Sequence, residues 1–554
     1  MNTPPYESIR QQLLPAFPSP VSDPVHDGYF VFSMLRALDQ VDSLKGQAPV
    51  LGAPRDPDFA AAVSERLADK GKKLEAVIPE LVKYLHGMIL WAHPQAQVNV
   101  IGCPSMASII GSMLPAIYNP NLVSEESGRG FSEAEARATA MAADLVGYDP
   151  QFCGGLFTFG GTGTLLYGLK IGLEKCLPNV FHKGLKGEAV IFASQQGHYG
   201  SMNAAGWLGI GQENVIKVES QVDNSIRIDV LESAMRDALS KGQRIAAIVA
   251  TMGTTDAFGI DDLQATVTLR DRLAKEYKLD YLPHVHADAV IGWAWSVFRG
   301  YDYDHNEMGF RGRTLRAIAA IETKIRHLGL ADSLGIDFHK TGFVPYISSL
   351  FLLRNQDDFA HLVRQRGEMP YLYHTGAYHP GMYTLETSRG GGGSMSALAS
   401  LILLGREGLQ SLLGHALEMA ETLREQIIAR PELTIVNEDN FGPVTLFRAY
   451  PPGVNTFSVK QREFDDPGFG SQVQLHNELN RRIFALVQAR ALEGKGVALG
   501  FTDCYRKSNA GTPINALKSY VLSPHITAER MHVVIEEVLK ALKLVWSELS
   551  QETQ

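Results

Sequence analysis

From about Pro104 onward, short apolar runs recur along the chain without strict alternation: EAVIFAS, RIAAIVATMG, PHVHADAVIG, SLGIDFHK and SSLFLLRN, with longer helix-like segments between them. A strand wetted on one face alternates apolar and polar residues. A continuous run of about four to eight apolar residues instead fits a strand buried on both faces. Such strands need helices above and below them, so the pattern predicts an α/β fold with a mostly parallel central sheet. In open sheets of this kind ligands gather outside the carboxyl ends of the strands, which is where the chemistry should be sought.

The flanks read differently. The first hundred residues interleave prolines (PAFPSPVSDP, GAPRDPDF) with helical pieces such as 64–86, which suggests an arm that wraps something else. A glycine cluster, SRGGGGS at 388–394, is expected to break the chain, and MSALASLILLGREG after it reads as a helix leading into another unit. Near the end, Met531, Val534, Ile535, Val538, Leu542 and Val545 keep helical spacing after a possible Thr527 cap. The predicted division is an N-terminal helical arm (1–103), a large domain (104–395) and a smaller C-terminal α+β domain (396–554).

Bulk properties narrow the function. The 554 residues carry a formal net charge of −9, so no basic surplus points to nucleic acid. The four cysteines, Cys103, Cys153, Cys176 and Cys504, form no C-x-x-C pair, which fits free thiols in a reducing compartment and argues against a disulfide frame or zinc ribbon. The N-terminus has early prolines and charges where a signal peptide needs an apolar stretch, and no run approaches the roughly 18 apolar residues of a membrane span. A cytoplasmic protein without a membrane span is expected.

Five stretches could carry chemistry. TFGGTGTLLYGLKIGLEK places glycines and small hydroxyl residues before a helical pattern, and the exposed N–H groups of a helix start suit a phosphate. Taken alone, the same turn serves equally as a packing device. PHVHADAV sets His284, His286 and Asp288 on one face of a strand; core histidines explain the first two better than metal ligation, because no matching ligands are spaced elsewhere, and no metal site is expected. SQQGHYGS offers His198 in a loop after a strand, and ATMGTTDAFGIDDL a small-residue turn with Thr255. DFHKTGFVPY puts His339 beside Lys340 at the mouth of an apolar run. A lysine in a dry cavity is expected to be neutral or covalently bonded, since a bare buried ammonium is too costly, and this makes Lys340 a candidate for Schiff-base chemistry. Each stretch follows an apolar strand, and that co-occurrence carries more weight than any one of them.

Together, GGTGT, QQGHYGS, GTTDAFGIDD, HADAV, DFHKTG and the ending YVLSPHIT resemble the pyridoxal-phosphate-dependent group II amino-acid decarboxylases, the family of aromatic amino-acid, tyrosine and glutamate decarboxylases, with sphingosine-phosphate lyase as a relative. The similarity runs from about Asn99 to the C-terminus. It implies the fold-type I pyridoxal-phosphate transferase fold and a homodimer with active sites at the interface. It also implies decarboxylation of an L-amino acid through a Lys340 Schiff base and a quinonoid intermediate. By the resemblance Lys340, His198 and Asp288 are catalytic: Lys340 holds the cofactor aldehyde, Asp288 faces the pyridine nitrogen and His198 stacks on the ring. Gly161, Thr162 and Gly163 would bind the phosphate, Thr255 would lie close to the cofactor, and His339 would assist at the phosphate or the substrate carboxylate. Among Tyr371, Tyr373, Tyr378 and Tyr383 the resemblance suggests a lid tyrosine as proton donor, and it sets Ser388 and Arg389 near the neighbouring subunit's site. The spacing from Asp288 to Lys340, 340 − 288 = 52 residues, is longer than the family's, with FRGYDYDHNEMGFRGRTLRAI as an insertion. Three rivals remain at this stage: a carbon–carbon lyase acting on a phosphorylated amino alcohol, a nucleotide-binding oxidoreductase, and a cofactor-free binding protein.

Overall fold

The computed structural model describes residues 4–364 and 366–552. Its main sheet has seven strands in the order Gly154–Thr158, Ser349–Leu353, Ser333–Asp337, His284–Asp288, Arg244–Thr251, Ala189–Ser194, Val215–Val218. Six run parallel; Ser349–Leu353 is antiparallel to both its neighbours. The exception has a local cause. A parallel return needs a crossover of a dozen or more residues, usually a helix, and only residues 338–348, with the one-turn helix Phe338–Thr341, separate Asp337 from Ser349.

Helices cover both faces, as the apolar runs require. On one side Leu165, Leu169 and Leu173 of helix Gly161–Cys176 pack on Ile191, Ala193 and Val249. On the other, Leu231, Met235, Leu269 and Leu273 meet Phe192, Ile248 and Val285. Helix Gly161–Cys176 lies unusually close to the sheet: a Cβ on Gly168 would stand 2.4 Å from His286 Nδ1, and one on Gly172 2.4 Å from the Ala246 carbonyl. These two glycines fix the height of the helix whose first turn borders the site.

The second sheet has the order Ala96–Gln97, Ala498–Lys507, Pro513–Tyr520, Val444–Ala449, Leu433–Ile435. Its first strand comes from the N-terminal segment and pairs in parallel with Ala498 and Leu499, so the arm is stitched into the C-terminal unit. Helix Ala528–Glu552 buries the predicted face, with Met531, Val534, Ile535, Val538, Leu542 and Val545 all in the core beside Leu479, Ile483 and Val487. Within the 64–86 stretch, the helix begins only at Leu74.

The glycine cluster does not break the chain as expected. A helix, Gly392–Ile428, starts inside it and is interrupted at Gly405 (φ 56°, ψ −167°), so the 395/396 division falls within a helical segment. Glycine is needed there for close approach: a Cβ on Gly393 would stand 3.0 Å from the Ile347 carbonyl, while Ser348 Oγ donates to the Gly393 carbonyl at 2.7 Å.

Candidate active site

Six of the eight sequence-predicted site residues line one cavity of about 210 Å³ at the carboxyl ends of the central strands: Gly161, Thr162, His198, Asp288, His339 and Lys340. Each arrives by a short route. Asp288 ends strand His284–Asp288, and His339 and Lys340 sit on the one-turn helix after Ser333–Asp337. His198 lies in the loop after Ala189–Ser194, where its Nδ1 accepts the Gly200 amide at 3.0 Å. A larger groove of about 1060 Å³ opens between the Ala498–Lys507 strand and the loop after Ser194; it contains none of these residues, and the residue set rather than size identifies the site.

The first turn of helix Gly161–Cys176 divides the predicted phosphate residues. The Gly163 and Thr164 amides both donate to the Gly160 carbonyl, at 2.8 and 3.3 Å, so the outward N–H groups are those of Gly161 and Thr162. Gly163 sits behind them, where a Cβ would stand 2.7 Å from Thr158 Oγ1. Thr255 is not among the cavity-lining residues. It lies in a turn whose closing bonds run from the Gly253 and Thr254 amides to the Gly259 carbonyl.

The electrostatics revise one expectation. Lys340 is neither neutral nor bare: its Nζ forms an ion pair with Asp337 Oδ2 at 2.9 Å. Burial pulls its pKa down, but Asp337 and then Asp288 outweigh that and hold it above the ordinary lysine value. Burial pushes the Asp288 carboxyl up, against the pull of Lys340 and His198. His198 and His339 are both lowered by burial, opposed by Asp288 and Asp337 respectively. His339 Nδ1 lies 3.1 Å from the Ser348 carbonyl, and its ring sits 3.9 Å from that of Tyr346.

Sequence reasoning missed Asp337, Tyr346 and Ile347, which also line the cavity. Asp337 could have been found, being three residues before Lys340 on a helical turn. None of the four lid candidates lines the cavity of its own chain. Tyr378 donates to Glu135 Oε2 at 3.1 Å, Tyr383 stacks on Phe359, Tyr373 is buried and Tyr371 is exposed. Their segment is clasped by Glu125, which accepts the Ala377 and Tyr378 amides, and by Glu126, which accepts those of His374 and Thr375. Arg389 is a buried clasp within the chain, paired through both terminal nitrogens with Glu135. His284 and His286 are core residues sharing Ser333 Oγ at 2.8 Å each; burial lowers both to about 3. Among the described residues no cluster suits a metal ion.

The site fits pyridoxal phosphate. Asp288 Oδ1 is buried and has no hydrogen-bond partner, so it would accept from a protonated ring nitrogen. Gly161 and Thr162 offer an anion cradle at the other end, and Lys340 stands between with an amine for the aldehyde.

Comparison with known proteins agrees. The family profile described as pyridoxal-dependent decarboxylase conserved domain matches residues 57–449. An L-2,4-diaminobutyrate decarboxylase of Acinetobacter baumannii is 23% identical over 500 residues, covering 87% of this chain and 86% of that protein. The fold is shared with the glutamate decarboxylase domain of a diaminobutyrate-pyruvate transaminase and L-2,4-diaminobutyrate decarboxylase from Vibrio parahaemolyticus (TM-score 0.73, 19% identity, 96% and 99% of the chains). It is also shared with Catharanthus roseus tryptophan decarboxylase (TM-score 0.73, 17% identity, 95% and 100%). Profile, fold and site converge: this chain belongs to the pyridoxal-dependent decarboxylase family.

Proposed function

We propose that Lys340 carries the cofactor aldehyde, that Asp288 holds the proton on its ring nitrogen, that His198 covers one ring face, and that the Gly161 and Thr162 amides with His339 receive its phosphate. The protein is a pyridoxal-phosphate-dependent carboxy-lyase that releases carbon dioxide from an L-amino acid. Nothing in the comparisons favours the carbon–carbon lyase reading. The observation that carries the assignment of roles is the unpartnered, buried Asp288 Oδ1 facing the same cavity as the Lys340 amine.

When bound, the cofactor supplies an electron sink for the pair left on the α-carbon as carbon dioxide departs. The chain's own residues decide how well that sink works. Asp288, as an anion, favours the protonated ring nitrogen. His198 would cover one face of the ring and hold it in place, so that the bound group favours one bond at the α-carbon over the others. Lys340 must give up its ammonium proton before it can act as a nucleophile.

The assembly we infer is a homodimer. Val25, Phe32, Leu35 and Leu38 of helix Pro24–Asp42 and Met106 and Ile110 of helix Met106–Tyr118 are exposed in the single chain, an apolar surface that favours a partner. A lid tyrosine supplied by a second copy would complete a cavity that none of the four lid candidates of the same chain lines. The four cysteines are free, which suits the cytoplasm. No described helix is long and apolar enough to cross a membrane. We keep the division into an arm (1–103), a large domain (104–395) and a small domain (396–554) as a proposal, its last boundary lying inside helix Gly392–Ile428.

The test is carbon dioxide release from a panel of L-amino acids by wild type beside Lys340→Ala. Turnover with a visible absorption band in wild type, and neither in the variant, is expected. Full activity in the variant would end the assignment.

A further inference from the structure

We propose that Asp337 is an internal counter-ion of the unloaded site: it stands at the anion end, holds Lys340 as an ammonium, and thereby sets the pH at which the chain captures its cofactor. The proposal rests on the reading of Lys340 as the aldehyde carrier. Asp337 is 1% exposed, and its Oδ2 lies 2.9 Å from Lys340 Nζ and 3.5 Å from His339 Nε2. The same oxygen would stand 3.1 Å from a Cβ on Gly161, which places the carboxylate against the helix turn that offers N–H groups to a phosphate. Its other oxygen accepts Ser349 Oγ at 2.5 Å, so the carboxylate is fixed from the neighbouring strand.

The groups facing Lys340 come from four elements. Asp337 and His339 stand on its own turn, Asp288 at the end of strand His284–Asp288, His198 in the loop before Gly200–Trp207, and Tyr346 in the turn before Ser349–Leu353. Among the described residues Asp337 is the one carboxylate in ion-pair contact with the amine. Two consequences follow. An ammonium cannot attack a carbonyl, so capture waits on loss of one proton to buffer. The amine's lone pair then forms the C–N bond, the carbonyl oxygen leaves as one water, and a C=N bond remains with no net oxidation or reduction. An arriving phosphate also meets a carboxylate of like sign, which opposes binding.

The experiment uses the full chain stripped of cofactor, mixed with pyridoxal phosphate over a pH series and trapped at timed points with borohydride, reading the modified Lys340 peptide by mass. In wild type the capture rate should rise about tenfold per pH unit towards the amine midpoint. Asp337→Asn should move that midpoint down by about one pH unit or more, giving roughly tenfold faster capture at neutral pH, and should tighten binding of inorganic phosphate. Ser349→Ala, which removes a partner of the carboxylate but not its charge, should keep the wild-type midpoint. An unchanged midpoint in Asp337→Asn overturns the proposal, as does an equal shift in Ser349→Ala. Competitive acylation of Lys340 in the unaltered wild-type chain tests it without a variant: a midpoint below that of an ordinary lysine also overturns it. If no protein is trapped at Lys340, the assignment of the aldehyde carrier fails instead, and the acylation midpoint still decides the role of Asp337.

Discussion

Two buried ion pairs in this chain do opposite work. In the C-terminal unit, Arg448 of strand Val444–Ala449 pairs with Glu463 at 3.0 Å, and Glu463 also accepts Tyr450 Oη at 2.7 Å and meets His476 Nδ1 at 2.8 Å. Both members are sealed, at 0% and 1% side-chain exposure. At the carboxyl ends of the main sheet, Lys340 pairs with Asp337, but the lysine side chain is 17% exposed and borders a cavity. The sealed pair is held at both ends, the carboxylate by Tyr450 and His476 and the guanidinium by Asn477 and Asn515. The other is held firmly only at the carboxylate, leaving the amine free to change partner. Buried charge alone therefore does not mark an active site; a buried charge with one side open to a cavity does.

Lys340→Ala should produce the largest effect, a loss of about 10⁴-fold or more in turnover, measured as carbon dioxide release. Its cost in stability should be smaller than that of breaking the sealed pair, because the cavity admits water to Asp337. Glu463→Ala should instead cost about 3–5 kcal/mol of stability, read from denaturant midpoints, since Arg448 is left buried and unpaired. Equal losses in the two variants would erase the distinction between the pairs.

Asp288→Asn should lower turnover by about 10²-fold or more, yet raise the melting temperature of the cofactor-free chain at neutral pH. Burial raises the folded pKa of this acid, so folding disfavours its ionised form. Its contribution to stability therefore falls as pH rises from the unfolded value through the folded one. A lower melting temperature in the variant would mean that the carboxylate is paired after all. A last effect, read in pH alone and in no variant, comes from His284 and His286, neutral in the core with pKa about 3. The unfolded chain takes up their protons first, so stability should be full above about pH 6.5 and decline below it, by about 1.4 kcal/mol per pH unit for each histidine. A melting temperature flat from pH 6.5 to 5 would contradict their burial.

The parts legible in the sequence were those with local signatures. Doubly buried strands announced themselves as apolar runs, and Gly161, Thr162, His198, Asp288, His339 and Lys340 each follow one of them, which is why they meet at one edge of the sheet. What escaped was set by tertiary contact. Strand Ala96–Gln97 is two residues long and has no period to read; it exists because Ala498 and Leu499 offer it an edge. The reversal of Ser349–Leu353 depends on the length of its connection, which apolar patterning does not report. The glycines at 390–393 read as a break because the close approach of Gly393 to Ile347 and Ser348 leaves no trace in sequence. The charge state of Lys340 turned on Asp337, whose carboxylate meets the amine from three residues earlier in the chain.

The most direct test of the central claim is to reduce the cofactor-loaded enzyme with borohydride, digest it and locate the pyridoxyl group by mass spectrometry. One modified peptide, carrying the group on Lys340, is predicted. Modification on Lys217, whose amine is buried and, unlike that of Lys340, has no hydrogen-bond partner, or a spread over surface lysines with Lys340 untouched, would contradict the account.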